Sequence, residues 1–128
     1  MLSVAGERAI KVPVVPKASP GQPLCSPVAW RGFITAVRAW AQLGSEDYAW
    51  IISQICADPT VNLDPVAAKL TDQEVRIDSV LGASMLSESP AEIKKLFIKA
   101  EDHEIEGRTS GLRMMAFLSK RINKICTT

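Results

Sequence analysis

The sequence predicts an all-α protein, a bundle of about five helices behind an extended, proline-rich N-terminal arm. Three observations carry that expectation. Between Ser26 and Ala57 the apolar residues recur at three- and four-residue steps, the spacing of one helix face. Helix-start signals stand ahead of successive apolar runs: Ser26-Pro27, Ser45-Glu46-Asp47, Thr71-x-x-Glu74 and Ser89-Pro90-x-Glu92. Proline and glycine interrupt residues 1–25, where they oppose helix and central strand alike. The expected division is therefore an arm over 1–25 and a helical domain over 26–128.

In the arm, Ile10 to Pro16 is apolar but broken by Pro13, and Pro20, Gly21 and Pro23 follow. An extended or polyproline-like course is expected, with at most a short edge strand. Nothing in the arm specifies a partner. Helix one opens with Ser26 as cap and Pro27 at the first helical position. It carries Trp30, Phe33, Ile34, Val37, Trp40 and Ala41 on one face. Gly44 is expected to end it in a left-handed conformation. Ser45, Glu46 and Asp47 open helix two, whose buried face is Tyr48, Ile51, Ile52 and Ile55. The three tryptophans and the one tyrosine all fall in this pair. Large aromatics bury the most area per residue, so the core is expected to start here. The very short connection makes the two helices neighbours in space.

Two prolines, Pro59 and Pro65, then break the pattern. Asp64 and Pro65 are expected to cap and start a short turn through Leu70. Thr71 and Glu74 form a capping box for a helix to about Leu86, which takes its apolar contacts from Val75, Ile77, Val80, Leu81 and Met85. A second box, Ser89 with Glu92, opens a helix burying Ile93, Leu96, Phe97 and Ala100. Ala100 to Gly107 reads as a polar, acidic loop. The last helix starts near Thr109 or Ser110 and runs to about Ile125. Its stripe is Leu112, Met115, Leu118, Ile122 and Ile125, widened by Met114 and Phe117.

Composition narrows the function classes. With 128 residues the chain is long enough for one domain with a real core, and 47% hydrophobic residues is ordinary for a globular protein. A formal charge of +1 gives no global pull toward nucleic acid or membrane. No apolar run reaches the roughly 20 residues of a bilayer span, and no secretory leader is evident at the start. The three cysteines, Cys25, Cys56 and Cys126, are far apart and odd in number, which fits a reducing compartment better than a disulfide scaffold. Cys56 reads as a small core residue; Cys25 and Cys126, near element ends, read as exposed.

A search for chemistry finds little. The single histidine, His103, lies among Glu101, Asp102, Glu104 and Glu106. Neither a calcium-loop spacing nor His-Glu-x-x-His is present, so a solvated acidic loop is the simpler reading and no metal is expected. Ser110 lacks the strand–turn–helix setting of a nucleophile elbow and reads as a helix cap. The seven glycines form no phosphate-binding loop, and no cofactor is expected. The chain does not read as an enzyme. Arg113, Lys120, Arg121 and Lys124 make the last helix locally basic. They offer a contact for RNA, though basic residues late in a helix also complement its dipole. Trp30 and Trp40 belong to the core. Trp50 is read first as core and second as an exposed contact.

The order of these landmarks resembles a known family. Trp30-x-x-Phe33 is followed by Trp40 and by Tyr48-x-Trp50. Then come Leu70-Thr-Asp-Gln-Glu-Val-Arg-Ile-Asp-Ser-Val-Leu81, Ser89-Pro-Ala-Glu-Ile93 and Gly107-Arg-Thr-Ser-Gly-Leu-Arg-Met-Met-Ala-Phe-Leu118. Across about residues 28–122 this is similar to the N-terminal capsid region of Gag polyproteins from Copia-type long-terminal-repeat retrotransposons. Met114, Met115 and Phe117 stand where that family carries Ala-Trp. The resemblance implies a helical building block that associates through its helix faces and encloses RNA, as one domain of a larger polyprotein or a domesticated remnant. The family's zinc knuckle has no counterpart here.

The expected function is accordingly non-enzymatic self-association into oligomers or shells, in the cytoplasm or within a virus-like particle. Arg31, Arg38 and Trp50 are the expected interface residues, together with the arm. The alternative is a small adaptor or accessory subunit that docks on a larger protein or ribonucleoprotein complex. In that case the arm would dock and the Arg113–Lys124 face would meet RNA or an acidic partner.

Overall fold

A computed structural model of the protein describes residues 11–126, the last three of them by backbone alone. The first ten residues of the expected arm, and the side chains of Lys124, Ile125 and Cys126, lie outside what it describes. Seven helical segments and one hairpin follow in order: α1 (Pro27–Gln42), α2 (Glu46–Ala57), α3 (Leu63–Ala68), α4 (Asp72–Glu88), α5 (Ala91–Lys94), α6 (Ala100–His103), β1 (Glu104–Ile105), β2 (Arg108–Thr109) and α7 (Gly111–Cys126). The protein is predominantly helical, in keeping with an all-α bundle.

The long helices form where their caps say they should. The Ser26 hydroxyl accepts from the Ala29 N–H at 3.1 Å, and Pro27 follows at the first helical position. Ser45 accepts from the Tyr48 N–H at 3.1 Å. Thr71 and Glu74 close a complete capping box on α4. On α1, Trp30, Phe33, Val37 and Ala41 are buried, with Ile34 and Trp40 packed at the margin. On α2 the inward residues are Tyr48, Ala49, Ile52, Ile55 and Cys56.

The central element is α7, which packs against α1, α2, α4, α6 and β1. Leu112, Met114, Met115, Ala116, Phe117, Leu118, Ser119 and Ile122 are all buried, so this helix is covered nearly all round rather than along one stripe. Where α1 crosses it, the Trp30 indole N–H donates to the Ser119 hydroxyl at 3.0 Å, satisfying a buried donor. The proline-rich segment before α1 forms no helix or strand among its described residues, yet Val15, Leu24 and Cys25 are buried in the core. A turn at Ser19–Gln22, with Pro20 second and Gly21 third at φ 74°, folds it back.

Several expectations need correction. The 100–109 segment is not a plain loop: it makes α6 and a hairpin, paired Glu104 to Thr109 and Ile105 to Arg108. Glu106 and Gly107 carry positive φ, the mirror-image turn that matches strand twist. The second capping box does not form. Ser89 ends α4 in an extended conformation, as a residue before proline prefers. Pro90 is itself extended, so α5 begins at Ala91 without a side-chain cap and lasts four residues. The cap of α3 is Asn62, which accepts from the Asp64 N–H at 3.1 Å, rather than Asp64. Gly44 is not left-handed. Its role is close approach, since a Cβ there would lie 2.8 Å from the Ile77 side chain. Cys25, expected at the surface, is buried.

Candidate functional site

Two acids on α4 organise the polar interior. Glu74 and Asp78 are one turn apart and face the core with Leu81, Gly82 and Met85. Each takes the hydroxyl of a serine that caps another helix. Ser45, the cap of α2, donates to Glu74 Oε2 at 2.6 Å, while Glu74 Oε1 accepts the Thr71 N–H of its own box at 3.0 Å. Ser110, the cap of α7, donates to Asp78 Oδ2 at 2.7 Å and accepts from the Arg113 N–H at 3.2 Å. Three helix N-termini are thus registered against one another through two carboxylates.

Asp78 is the more demanding of the pair because it is fully buried. Its Oδ1 accepts from the Tyr48 hydroxyl at 2.6 Å and from the Leu112 N–H at 2.8 Å. Its Oδ2 accepts from Arg108 Nη1 at 2.6 Å as well as from Ser110. Four donors, one of them a guanidinium, replace the water that burial removes. Burial first, and then the Asp78 carboxylate, push the Tyr48 phenol well above its usual range, so it stays a neutral donor. The four donors fall two on each oxygen of the Asp78 carboxylate. The cluster ties α2, α4, the hairpin and the start of α7 to one another.

Glu74 responds to acid in a defined direction. The Ser45 hydroxyl, then the Thr71 backbone, hold its carboxyl below the usual range. A depressed carboxyl contributes stability above the ordinary glutamate pKa of about 4.3, and that contribution is lost as pH falls through the folded value. Glu74→Gln is expected to cost about 1 kcal/mol at pH 7 and progressively less below pH ~4, read from urea unfolding across a pH series. An unchanged gap between the two proteins at low pH would contradict this.

The remaining candidates distribute as follows. His103 Nε2 lies 3.5 Å from Glu104 Oε2, its ring meets Phe97 edge-on, and Nδ1 is buried without a hydrogen-bond partner. Among the described residues no three His, Cys, Asp or Glu side chains converge as a metal cluster would require. Burial pushes the Cys56 thiol up to about 11 and raises Cys25 as well, which leaves both as inert thiols. On α7, Arg113 is engaged internally: Nη2 sits 3.7 Å from Asp64 Oδ1, and Nε donates to the Glu104 carbonyl at 3.3 Å. The Arg121 guanidinium lies 3.5 Å over the Phe117 ring. Lys120 is exposed and shares with Arg113 a cleft of about 270 Å³, into which Glu101 and Asp102 also face. An anion entering there would meet both signs of charge.

Of the interface candidates, Arg31 and Arg38 lie on α1 and Trp50 on α2. Arg31 is exposed and Arg38 half-buried. Trp50, read first as core, instead stands out from α2 with 62% of its surface in solvent. Beside it an apolar groove of about 430 Å³ runs between α2 and α3, lined by Ile51, Ile55, Val61 and Val66 and edged by Asp58 and Lys69. An exposed aromatic and an open apolar groove on one helix make α2 a candidate contact surface.

Asp78 went unnoticed in the sequence because its neighbours Val75, Ile77 and Val80 look like the core row. In fact Val80 is exposed and the core row is 74, 78, 81, 82 and 85. Glu74, Asp78, Leu81 and Met85 do follow helical spacing, and two acids on that row were the available signal. No helix among the described residues is long and apolar enough to cross a membrane. The fold and the polar cluster define a helical bundle with a structural polar interior. No protein-family model, curated protein or solved structure matches the chain.

Proposed function

We propose that this chain is a non-enzymatic, self-associating helical domain, a building block of the Gag capsid kind that forms oligomers or shells in a cytoplasmic particle. The observation that carries the reading is the exposure of Trp50 on α2, beside the apolar groove. An indole left in water on a rigid helix is a ready anchor for an interface, where such residues supply most of the binding energy. The completed, closed polar interior supports the non-enzymatic part. Lys120 and Arg121 are the exposed cations that an enclosed RNA would meet.

Light scattering coupled to size exclusion, over a concentration and salt series with negative-stain imaging, tests the reading. Mass rising with concentration into discrete oligomers, tubes or shells is the expected outcome. A monomer at every concentration would overturn it and leave the accessory-subunit reading. Trp50→Ala is expected to weaken association at least tenfold, about 1.4 kcal/mol, with little change in melting temperature because most of the side chain is in solvent.

A further inference from the structure

Resting on that self-association reading, we infer that the contact between copies is polar: the outer face of α1 of one copy lies on the outer face of α2 of the next. The observation is a segregation of charge between two adjacent helices. The charged residues of α1 are Arg31 and Arg38, with no acid. The charged residues of α2 are Glu46 and Asp47, with no base. None of these four enters an ion pair among the described residues.

The geometry suits a pairing between unlike faces. Arg31 and Arg38 are seven residues apart, so they share one side of α1 at a separation of about 10 Å. The exposed small residues Gly32, Ala36 and Ala39 lie further round the same helix, and a Cβ at Gly32 would meet nothing within 4 Å. An indole of a second copy laid against either guanidinium would gain cation–π support. On α2, Glu46 and Asp47 stand one turn before Trp50 on the same outer side.

Pairing of like faces is disfavoured by the same charges. Two α1 faces would set arginines against arginines. Two antiparallel α2 helices would set Glu46 and Asp47 against the partner's helix C-terminus and the adjoining acid at the groove edge, which Lys69 offsets only in part. A contact between different patches leaves one face of each kind free on the pair, one on each copy, so growth continues until a ring or shell closes.

Two variants test this, each checked for native helicity by circular dichroism. Arg31→Glu/Arg38→Glu makes both faces of a copy acidic; Glu46→Lys/Asp47→Lys makes both basic. Sedimentation velocity is expected to show each alone associating at least tenfold more weakly than the wild type. An equimolar mixture is expected to recover association, since each variant then supplies the face the other lacks. The milder Arg31→Glu and Glu46→Gln/Asp47→Asn serve where a double reversal disturbs folding, and each is expected to weaken association in the same direction. Wild-type association is expected to fall between 50 and 500 mM salt, by roughly the screening of exposed charge. Wild-type association combined with an unaffected variant, or with a mixture no stronger than its components, would overturn the polar contact while leaving self-association standing. A wild type that never associates would overturn both.

Discussion

Asp78→Asn is expected to lower the unfolding free energy by about 3–5 kcal/mol, the cost of breaking a buried, charge-assisted network from one side. The carboxylate serves four donors from three separate parts of the chain: Tyr48 on α2, Arg108 and Ser110 around the hairpin, and the Leu112 N–H in the first turn of α7. Asparagine keeps the shape and one acceptor oxygen. It also places an NH₂ group where Arg108 and Ser110 now donate, so the guanidinium loses its counter-charge and the start of α7 loses a negative neighbour. Removing single donors is expected to cost less. Tyr48→Phe removes one of four and is expected to cost about 1–2 kcal/mol. Arg108→Met costs less than Asp78→Asn, because the Arg108 side chain is 22% exposed and water can take up part of its role. Urea unfolding followed by circular dichroism measures all three. Near-equal losses would show that Asp78 is not the hub. A loss below about 1 kcal/mol for Asp78→Asn would show that the network contributes little net stability.

Gly82→Ala is expected to destabilise by about 1–3 kcal/mol, although alanine is the better helix former by about 1 kcal/mol. Gly82 lies inside α4, and a Cβ there would stand 2.8 Å from the Ser110 nitrogen, 2.9 Å from the Thr109 carbonyl carbon and 3.0 Å from the Gly111 nitrogen. All three are backbone atoms, and they belong to the turn that presents Ser110 and Leu112 to Asp78. Relief therefore requires α4 and the start of α7 to separate, which lengthens the hydrogen bonds of the cluster one turn away. Gly44→Ala makes the contrast. Its close neighbour is the end of the Ile77 side chain, which can change rotamer, so the expected loss is smaller. A Gly82→Ala protein as stable as the wild type would mean that the helix pair shifts freely, and that its approach does not set the geometry of the cluster.

The two expected losses share a cause that the sequence only half displays. Gly82, Glu74 and Asp78 each break a local rule of α4: a glycine in a helix interior and two acids on the core row. Read one residue at a time, the apolar Val75, Ile77 and Val80 look like the natural core face, and they draw the helix into a rotation that exposes Asp78. The structure turns α4 so that the exceptions point inward, because the serine caps of α2 and α7, the Tyr48 phenol and the Arg108 guanidinium are waiting there. Satisfying an acid from donors 30 to 34 residues away in sequence, on both sides of it, is a tertiary property. Neither periodicity nor propensity contains it.

What the chain determines by itself is the set of long helices and their starts. Ser26 with Pro27, Ser45, and Thr71 with Glu74 act through hydrogen bonds spanning three residues, and such short-range effects are written locally. The buried rows of α1 and α2 follow from three- and four-residue spacing alone. Tertiary packing decided the rest. It left only Ala91–Lys94 of the expected Ser89–Ala100 helix in α5, although the extended start at Ser89 and Pro90 is local, set by the proline. It folded the acidic 100–109 stretch into α6 and a hairpin whose Arg108 completes the Asp78 cluster. It left Trp50 in solvent while enclosing α7 almost all round, since α2 can cover its neighbours with only one face and α7 lies where five other elements meet. Local hydrogen bonds and periodicity act over a turn or two of chain. Which face turns inward, and which tryptophan remains outside, depends on partners that only folding brings together.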